Sequence, residues 1–323
     1  MTDLRREKLM GAVVSLPTFC DENHKLQLDK QRKHIRWLID NGVKEGNGVL
    51  LIAGGYGEGY FVEDEELFAL IDVLVDEARG EVPTMVGIFD LSARAAARRS
   101  AYAGEAGIDF IELGMPHYSG PSEDDIFLFH KYINDNSDIG IMTYNNFWVM
   151  PTGFELTRGL FERFTELEHV VGFKWSSSTV SHYLGILKLF SDRFSFIDNA
   201  MTNSLGARNG MRGFVDFYGN VAPRLTAKKW ELFSGRKYDE LDELLYKLHF
   251  DADNELNTSD APGFSSVADG VYGHLRWRQM GLDAGPNFPA QAQPSQAYVE
   301  HSRKIMEASG IMEWVDWDQS LLE

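Results

Sequence analysis

Lys174 and Tyr144 are candidate catalytic residues, because each is the last residue of a short apolar segment of the sequence. A lysine at the end of a buried strand loses solvation, and this lowers the pKa of its ammonium group. The neutral amine can attack a ketone and form a Schiff base. The alternative is a lysine that reaches solvent or pairs with a carboxylate. The residue types alone leave both interpretations open.

Tyr144 ends the segment that precedes the lysine segment, so its phenol can approach Lys174 if the two segments are neighbouring strands. A phenol in that position can relay protons to and from a carbinolamine and a leaving hydroxyl. A single tyrosine at a strand end more often lines the wall of the barrel without taking part in catalysis. The pair is therefore a stronger indication of catalysis than either residue.

A glycine-rich loop, Gly54–Gly59, holds four glycines in six positions. Glycines let backbone N–H groups turn toward an anion, so Gly55, Tyr56 and Gly57 are predicted to bind a substrate carboxylate. The loop lacks the spacing of a P-loop or a dinucleotide fingerprint. Glu58 is either a base or, as we favour, a structural carboxylate that caps nearby amides.

Eight short apolar runs recur along the chain, each nearly continuous as in parallel strands buried on both faces. Amphipathic helical stretches separate them, so the pattern predicts a closed (β/α)8 TIM barrel. The runs are Gly11–Leu16, Gly48–Ala53, Thr84–Ile88, Phe110–Leu113, Ile139–Tyr144, Val170–Lys174, Phe194–Ile197 and Gly213–Phe217.

The strand pattern stops near residue 235, and helical patterns follow at Tyr238–Phe250, Ser265–Gly281 and Gln296–Ser309. No long polar linker precedes them. We therefore predict a catalytic barrel over residues 1–235 and a C-terminal helical extension over residues 236–323 that packs on the barrel.

Active sites of such barrels lie at the C-terminal ends of the strands. That position predicts substrate contacts for Asn145, Trp175 and Phe217, with barrel-top packing as the alternative for the two aromatic residues. Tyr118 lies in the loop after the fourth predicted strand.

The composition argues against several other classes of protein. A formal charge of −18 and a pI near 4.9 disfavour nucleic-acid binding, which needs clustered Lys and Arg. No apolar run is long enough to span a membrane, and no signal peptide is evident, so a cytoplasmic protein is expected. A single cysteine, Cys20, and nine histidines without metal-binding spacing predict no metal site.

The lysine, tyrosine and glycine-loop motifs together resemble the dihydrodipicolinate synthase / N-acetylneuraminate lyase superfamily of class I lyases. The resemblance implies that Lys174 is the Schiff-base lysine, that Tyr144 relays protons, and that Tyr118 is donated across a dimer contact into a partner's site. The matching segments are Gly11–Thr18, Gly55–Glu58, Tyr144–Asn145, Gly172–Lys174, Gly213–Ala222 and Gly281–Pro289.

Two departures argue against a lysine-biosynthetic synthase. Gly55 stands where the synthase has a relay threonine, and the segment Tyr144–Pro151 lacks the arginine that holds the second substrate's carboxylate. The glycine loop also resembles keto-deoxy sugar-acid dehydratases. Aromatic residues at Tyr56, Trp148, Trp175 and Tyr218 resemble hydratase-aldolases, since aromatic rings suit a less polar substrate.

The sequence thus favours a lyase that forms a covalent imine between Lys174 and a 2-oxo acid, with no other cofactor. Aldol cleavage or condensation is the first expectation and sugar-acid dehydration the second. A non-catalytic barrel that binds 2-oxo acids is a third, because Gly55 has no hydroxyl for the relay. The resemblance also implies a homodimer or homotetramer.

Overall fold

Eight parallel strands form a closed barrel in chain order in the computed structural model, which describes residues 4–200, 202–250 and 269–323. The barrel predicted from the apolar runs is therefore confirmed. The strands are β1 Gly11–Ser15, β2 Gly48–Ile52, β3 Thr84–Ile88, β4 Phe110–Leu113, β5 Gly140–Tyr144, β6 Val170–Trp175, β7 Ser195–Asp198 and β8 Gly213–Asp216.

Helices surround the barrel and connect its strands. In the described part of the chain they are α1 Leu4–Lys8, α2 Leu28–Asp40, α3 Asp64–Ala78, α4 Ala93–Ala106, α5 Glu123–Asn136, α6 Arg158–Phe164, α7 Val180–Phe190, α8 Asn203–Arg208, α9 Pro223–Ser234, α10 Tyr238–Leu245, α11 Asp269–Gln279 and α12 Gln296–Ser309. A π-helical turn, Tyr246–Phe250, continues α10.

Local signals explain where several helices begin and end. A capping box opens α5, in which the Ser122 hydroxyl accepts a hydrogen bond from the Asp125 amide and the Asp125 carboxylate accepts one from the Ser122 amide. Gly107 ends α4 with a φ of 105°, a conformation that an L side chain rarely adopts.

The observed elements differ from the predicted ones mainly at their ends. Helix α8 spans six residues where Ala200–Gly210 reads as helical, and the short helix α1 has no counterpart in the apolar pattern. The first four residues of the predicted helix Ser265–Gly281 lie outside the described residues. Such small shifts are expected because helix ends fray.

Two apolar layers hold the barrel together. Inside it, Val13, Met85, Phe110 and Met142 belong to one buried cluster. Outside it, Phe173 belongs to the larger cluster between strands and helices. Because side chains alternate along a strand, residues two positions after an inward one also point inward.

The C-terminal extension packs on the end of the barrel that carries the β8 loop. Trp277 of α11 stacks on Phe217 at 4.7 Å between ring centroids, and its indole N–H donates to the Phe217 carbonyl at 3.2 Å. These rings belong to a buried cluster with Val221 and Tyr298. Part of the predicted extension therefore packs on the barrel, while the boundary at residue 235 stays a prediction.

Candidate active site

The register of β5 and β6 pairs Tyr144 directly with Lys174. The Lys174 Nζ lies 3.8 Å from the centroid of the Tyr144 ring. Lys174 is 5% exposed, so its amine is inside the barrel and not in bulk water. The two residues singled out by the sequence are thus in contact, with the ring face of the tyrosine against the amine.

Glu112 of β4 shares this interior with Lys174. Both of its oxygens accept from the lysine Nζ, at 3.2 and 3.3 Å, and its side chain is fully buried. Burial raises the pKa of Glu112, and the positive charge of Lys174 opposes that rise. Glu112 is not predicted by the apolar pattern, although it lies two positions after the inward-facing Phe110.

Tyr144 is held as a neutral phenol. Burial raises its pKa well above the usual value, and the negative charges of Asp269 and Glu112 raise it further. The side chain of Asn199 opposes this rise in the pKa of Tyr144 only in part. A neutral phenol in this place can donate a proton to a developing oxyanion.

A cavity of about 460 Å³ opens above Tyr144. Its apolar part is largely aromatic, and its polar part includes the carboxylate of Asp269. The apolar lining is Tyr60, Phe61, Phe89, Met115, Trp148 and Val149; the polar lining includes His117, Asn146, Asp269 and Gln291. Of the aromatic residues predicted to favour a less polar substrate, Trp148 lies in this lining.

Asp269, the first residue of α11, brings a carboxylate from the C-terminal extension to the cavity. Its side chain is accessible to solvent, but protein surrounds the cavity, and this desolvation raises its pKa despite the opposing charge of Lys174. A Cβ on Gly55 would lie 3.3 Å from its Oδ2, so the glycine leaves room beside this carboxylate.

Glu58 ties the glycine loop to the C-terminal extension. Its carboxylate accepts hydrogen bonds from the Asn287 side chain at 3.1 Å, the Phe288 amide at 3.1 Å and the Gln291 side chain. Glu58 is fully buried and has a φ of 55°. The structural interpretation of this carboxylate is therefore confirmed.

The glycine loop itself is only partly at the cavity. Gly55 lines it, whereas the Gly57 carbonyl accepts a hydrogen bond of 2.6 Å from the Thr18 hydroxyl. Tyr56 packs on Phe217 at 4.8 Å between ring centroids. Within the described residues, the cavity lining does not include Tyr56 or Phe217. Both aromatic residues pack against the extension, and their contact with substrate stays a prediction.

Asn145 and Trp175 are also placed away from the substrate space. The Asn145 side chain donates to the Ser176 carbonyl at 2.7 Å and accepts from the Leu156 amide at 3.0 Å, so it braces the loops after β5 and β6. Trp175 is fully buried against Phe161 because it follows the inward-facing Lys174 and points the other way. The predicted substrate contacts of both residues are corrected accordingly.

Tyr118 points away from the protein at the rim of the barrel, where its side chain is 85% exposed. Its neighbour His117 lines the cavity. The position leaves Tyr118 accessible to a second molecule, and its role in a partner's site stays a prediction.

Two features are absent from the described ranges of the chain. Across residues 4–200, 202–250 and 269–323, no three His, Cys, Asp or Glu side chains converge as metal ligands would. Within the same ranges, no helix has the length and apolar character required to cross a bilayer.

Comparison with known proteins finds the dihydrodipicolinate synthetase family, whose pattern matches residues 8–248. The 4-hydroxy-tetrahydrodipicolinate synthase of Methylobacterium radiotolerans is 26% identical over 231 residues, 70% of this chain and 74% of that protein. The enzyme of the same name from Methanothrix thermoacetophila is 28% identical over 243 residues, covering 74% of this chain and 79% of the relative.

Solved structures share the fold at lower sequence identity. Dihydrodipicolinate synthase from Aquifex aeolicus superposes with a TM-score of 0.81 at 20% identity, covering 96% of this chain and all of that one. PhdJ bound to a substrate intermediate gives a TM-score of 0.82 at 18% identity, with 98% of this chain and all of that chain covered.

Proposed function

The chain belongs to the dihydrodipicolinate synthetase family of lysine Schiff-base lyases, and we propose that Lys174 forms the imine with a 2-oxo acid in this protein. The observation that carries the assignment is the buried contact between the Lys174 amine and the ring of Tyr144, which itself lines the cavity. Tyr144 therefore contacts both the cavity, where a substrate ketone would lie, and the nucleophilic amine of Lys174.

The reaction begins when the neutral amine adds to the ketone carbon and water leaves, giving an iminium cation. The iminium withdraws electrons, so a bond two carbons away breaks and leaves an enamine. Hydrolysis of the enamine's iminium form releases the 2-oxo acid and restores Lys174. Fixed charges and dipoles in the closed barrel supply most of the stabilisation of the charged transition states.

Tyr144 serves as the proton donor in this scheme. Its raised pKa keeps the phenol protonated, as an acid for the departing hydroxyl requires. Gly55 is not needed as a hydroxyl relay if Tyr144 exchanges protons with the substrate directly.

The substrate carboxylate is assigned to the backbone amides of Gly55–Gly57, since glycines expose N–H groups to an anion. Asp269 lies beside Gly55, and its raised pKa reduces repulsion between the two carboxyl groups. This assignment requires no metal ion.

The remainder of the substrate is proposed to be bulky and less polar. Tyr60, Phe61, Phe89 and Trp148 supply flat apolar surface in the cavity, which suits an aromatic tail. This favours pyruvate-type aldol cleavage or condensation, including the hydratase-aldolase form. Synthase activity like that named for the relatives is not proposed, because Tyr144–Pro151 contains no arginine.

A keto-deoxy sugar-acid dehydratase is the second candidate. It is favoured by the polar residues His117, Asn146 and Gln291 on the cavity wall, which could bind hydroxyl groups. Dehydration would release water and another 2-oxo acid, without pyruvate.

A panel of 2-oxo acids tests the proposal, with pyruvate release read by a coupled assay. An arylidene-pyruvate is expected to add water across its side-chain double bond and then to release pyruvate and an aldehyde, and Lys174→Ala is expected to be inactive. Conversion of a keto-deoxy sugar acid without pyruvate release would favour the dehydratase. Binding of pyruvate with neither turnover nor imine would favour a non-catalytic barrel.

A further inference from the structure

Glu112 is a charged group that the scheme above leaves without a role. Its carboxylate is fully buried in the barrel, and both oxygens lie within 3.3 Å of the Lys174 Nζ. A buried ion pair is costly to desolvate and is often no more stable than apolar residues of the same size. Packing alone is therefore a weak reason for a glutamate in the apolar strand β4.

We propose that Glu112 is a catalytic residue that takes the proton from the Lys174 ammonium before attack and then acts as the counter-ion of the iminium. The inference rests on the proposed function, because it concerns the same lysine. The contact is with the reacting nitrogen itself.

The proton and electron movements balance within the site. A proton passes from Nζ to a Glu112 oxygen, and the freed nitrogen pair forms the bond to the ketone carbon while the carbonyl π pair moves to oxygen. Tyr144 protonates that oxygen and regains a proton from the nitrogen. Glu112 then returns its proton, water leaves, and the nitrogen pair forms the C=N bond. Both protons lost by nitrogen leave in water, and Glu112 is again a carboxylate beside the cation.

The groups that face Glu112 fit this cycle. Lys174 on β6 contacts it, while Tyr144 on β5 and Asp269 on α11 interact with it electrostatically. On β3 the neighbouring position is Gly87, which has no side chain. The carboxylate is thus directed toward the amine.

This arrangement fixes how many protons imine formation exchanges with solvent. The Lys174–Glu112 pair holds one shared proton, so the native protein converts ammonium and ketone into iminium and water without proton uptake. In Glu112→Gln the buried ammonium loses its hydrogen-bonded counter-ion and keeps only the interaction with Asp269, so the neutral amine is favoured. The iminium must then take one proton from solvent, and its amount falls as pH rises.

The test is reductive trapping with pyruvate and cyanoborohydride from pH 6 to pH 9, with intact-mass detection of the adduct. The ratio of trapped adduct in Glu112→Gln to that in native protein cancels the reagent's own pH dependence. We expect the ratio to be below one and to fall with rising pH, by up to about tenfold per pH unit for one proton. Glu112→Asp keeps the charge, so its ratio is expected to be constant with pH.

Asp216→Asn is the matched control, because Asp216 and Lys229 form a second buried pair, 3.4 Å apart, between β8 and α9. Its ratio is expected not to change with pH. The proposal is overturned if the ratio for Glu112→Gln equals one, or if it is low but constant with pH. If Glu112→Gln does not fold, Glu112→Asp decides instead, and a ratio that falls with rising pH would overturn the proposal. Absence of any adduct in native protein would instead reject the proposed function.

Discussion

At the scale of single residues, the proposed chemistry and an expected effect on stability both involve the buried pair of Lys174 and Glu112. Lys174 opposes the effect of burial on the pKa of Glu112. Replacing the lysine with methionine keeps most of the side-chain volume and removes the positive charge that lowers the pKa of Glu112. The pKa of Glu112 should then rise further, and the folded variant should take up a proton.

The sign of the pH effect in Lys174→Met follows from this rise. The unfolded chain ionises Glu112 above about pH 4.3, whereas the folded variant keeps it protonated. Relative to native protein, the variant is therefore expected to lose stability as pH rises from 5 to 8, by up to roughly 1.4 kcal/mol per pH unit.

Urea unfolding at pH 5 and pH 8 checks this expectation. The double variant Lys174→Met/Glu112→Gln has no buried carboxyl group at this place, and its difference from native protein should change much less between the two pH values. An equal loss of stability for Lys174→Met at both pH values would contradict the account of the pair.

At this scale the sequence is informative about side chains at the end of an apolar run and less so about side chains inside one. Lys174 and Tyr144 were found because each closes an apolar run. Glu112 was missed although the alternation from Phe110 points it inward. The same alternation, applied to Lys174, would have placed Trp175 outside the barrel.

At the scale of elements, the glycine loop is positioned by a segment more than 200 residues away in the sequence. Glu58 accepts hydrogen bonds from Asn287 and Phe288, which precede α12. Sequence patterns do not reveal such a pairing, because it depends on how the extension folds back. The same holds for Asp269, which α11 brings to the cavity.

Glu58→Gln tests whether this tie supports substrate binding. The amide places a donor among groups that already donate, so a buried hydrogen bond is lost, at a cost of about 1–3 kcal/mol. We expect a higher KM for the 2-oxo acid with a smaller change in kcat, since Glu58 does not contact the amine. Steady-state kinetics check this, and an unchanged KM together with unchanged stability would contradict it.

At the scale of the whole molecule, Tyr118 is the residue through which we expect the site to involve a second copy of the chain. The family resemblance implies that this tyrosine is donated to a partner, and its 85% exposure leaves it available. We therefore propose a homo-oligomer in which each site is completed by its neighbour.

Subunit mixing provides the test of that assembly. Tyr118→Ala and Lys174→Ala are each expected to be weakly active or inactive alone. A mixed dimer contains one site with an intact Lys174 and a Tyr118 from the other chain, so activity should return after exchange of subunits. No regain on mixing, with exchange shown by mass, would mean that Tyr118 does not act across an interface.

The claim on which all scales depend is that the amine of Lys174 is the nucleophile. Peptide mapping after treatment with pyruvate and borohydride tests it most directly. We expect one reduced pyruvyl group on the peptide that carries Lys174 in native protein, and none in Lys174→Ala. A native protein that keeps its original mass, or carries the adduct on another lysine, would contradict the account.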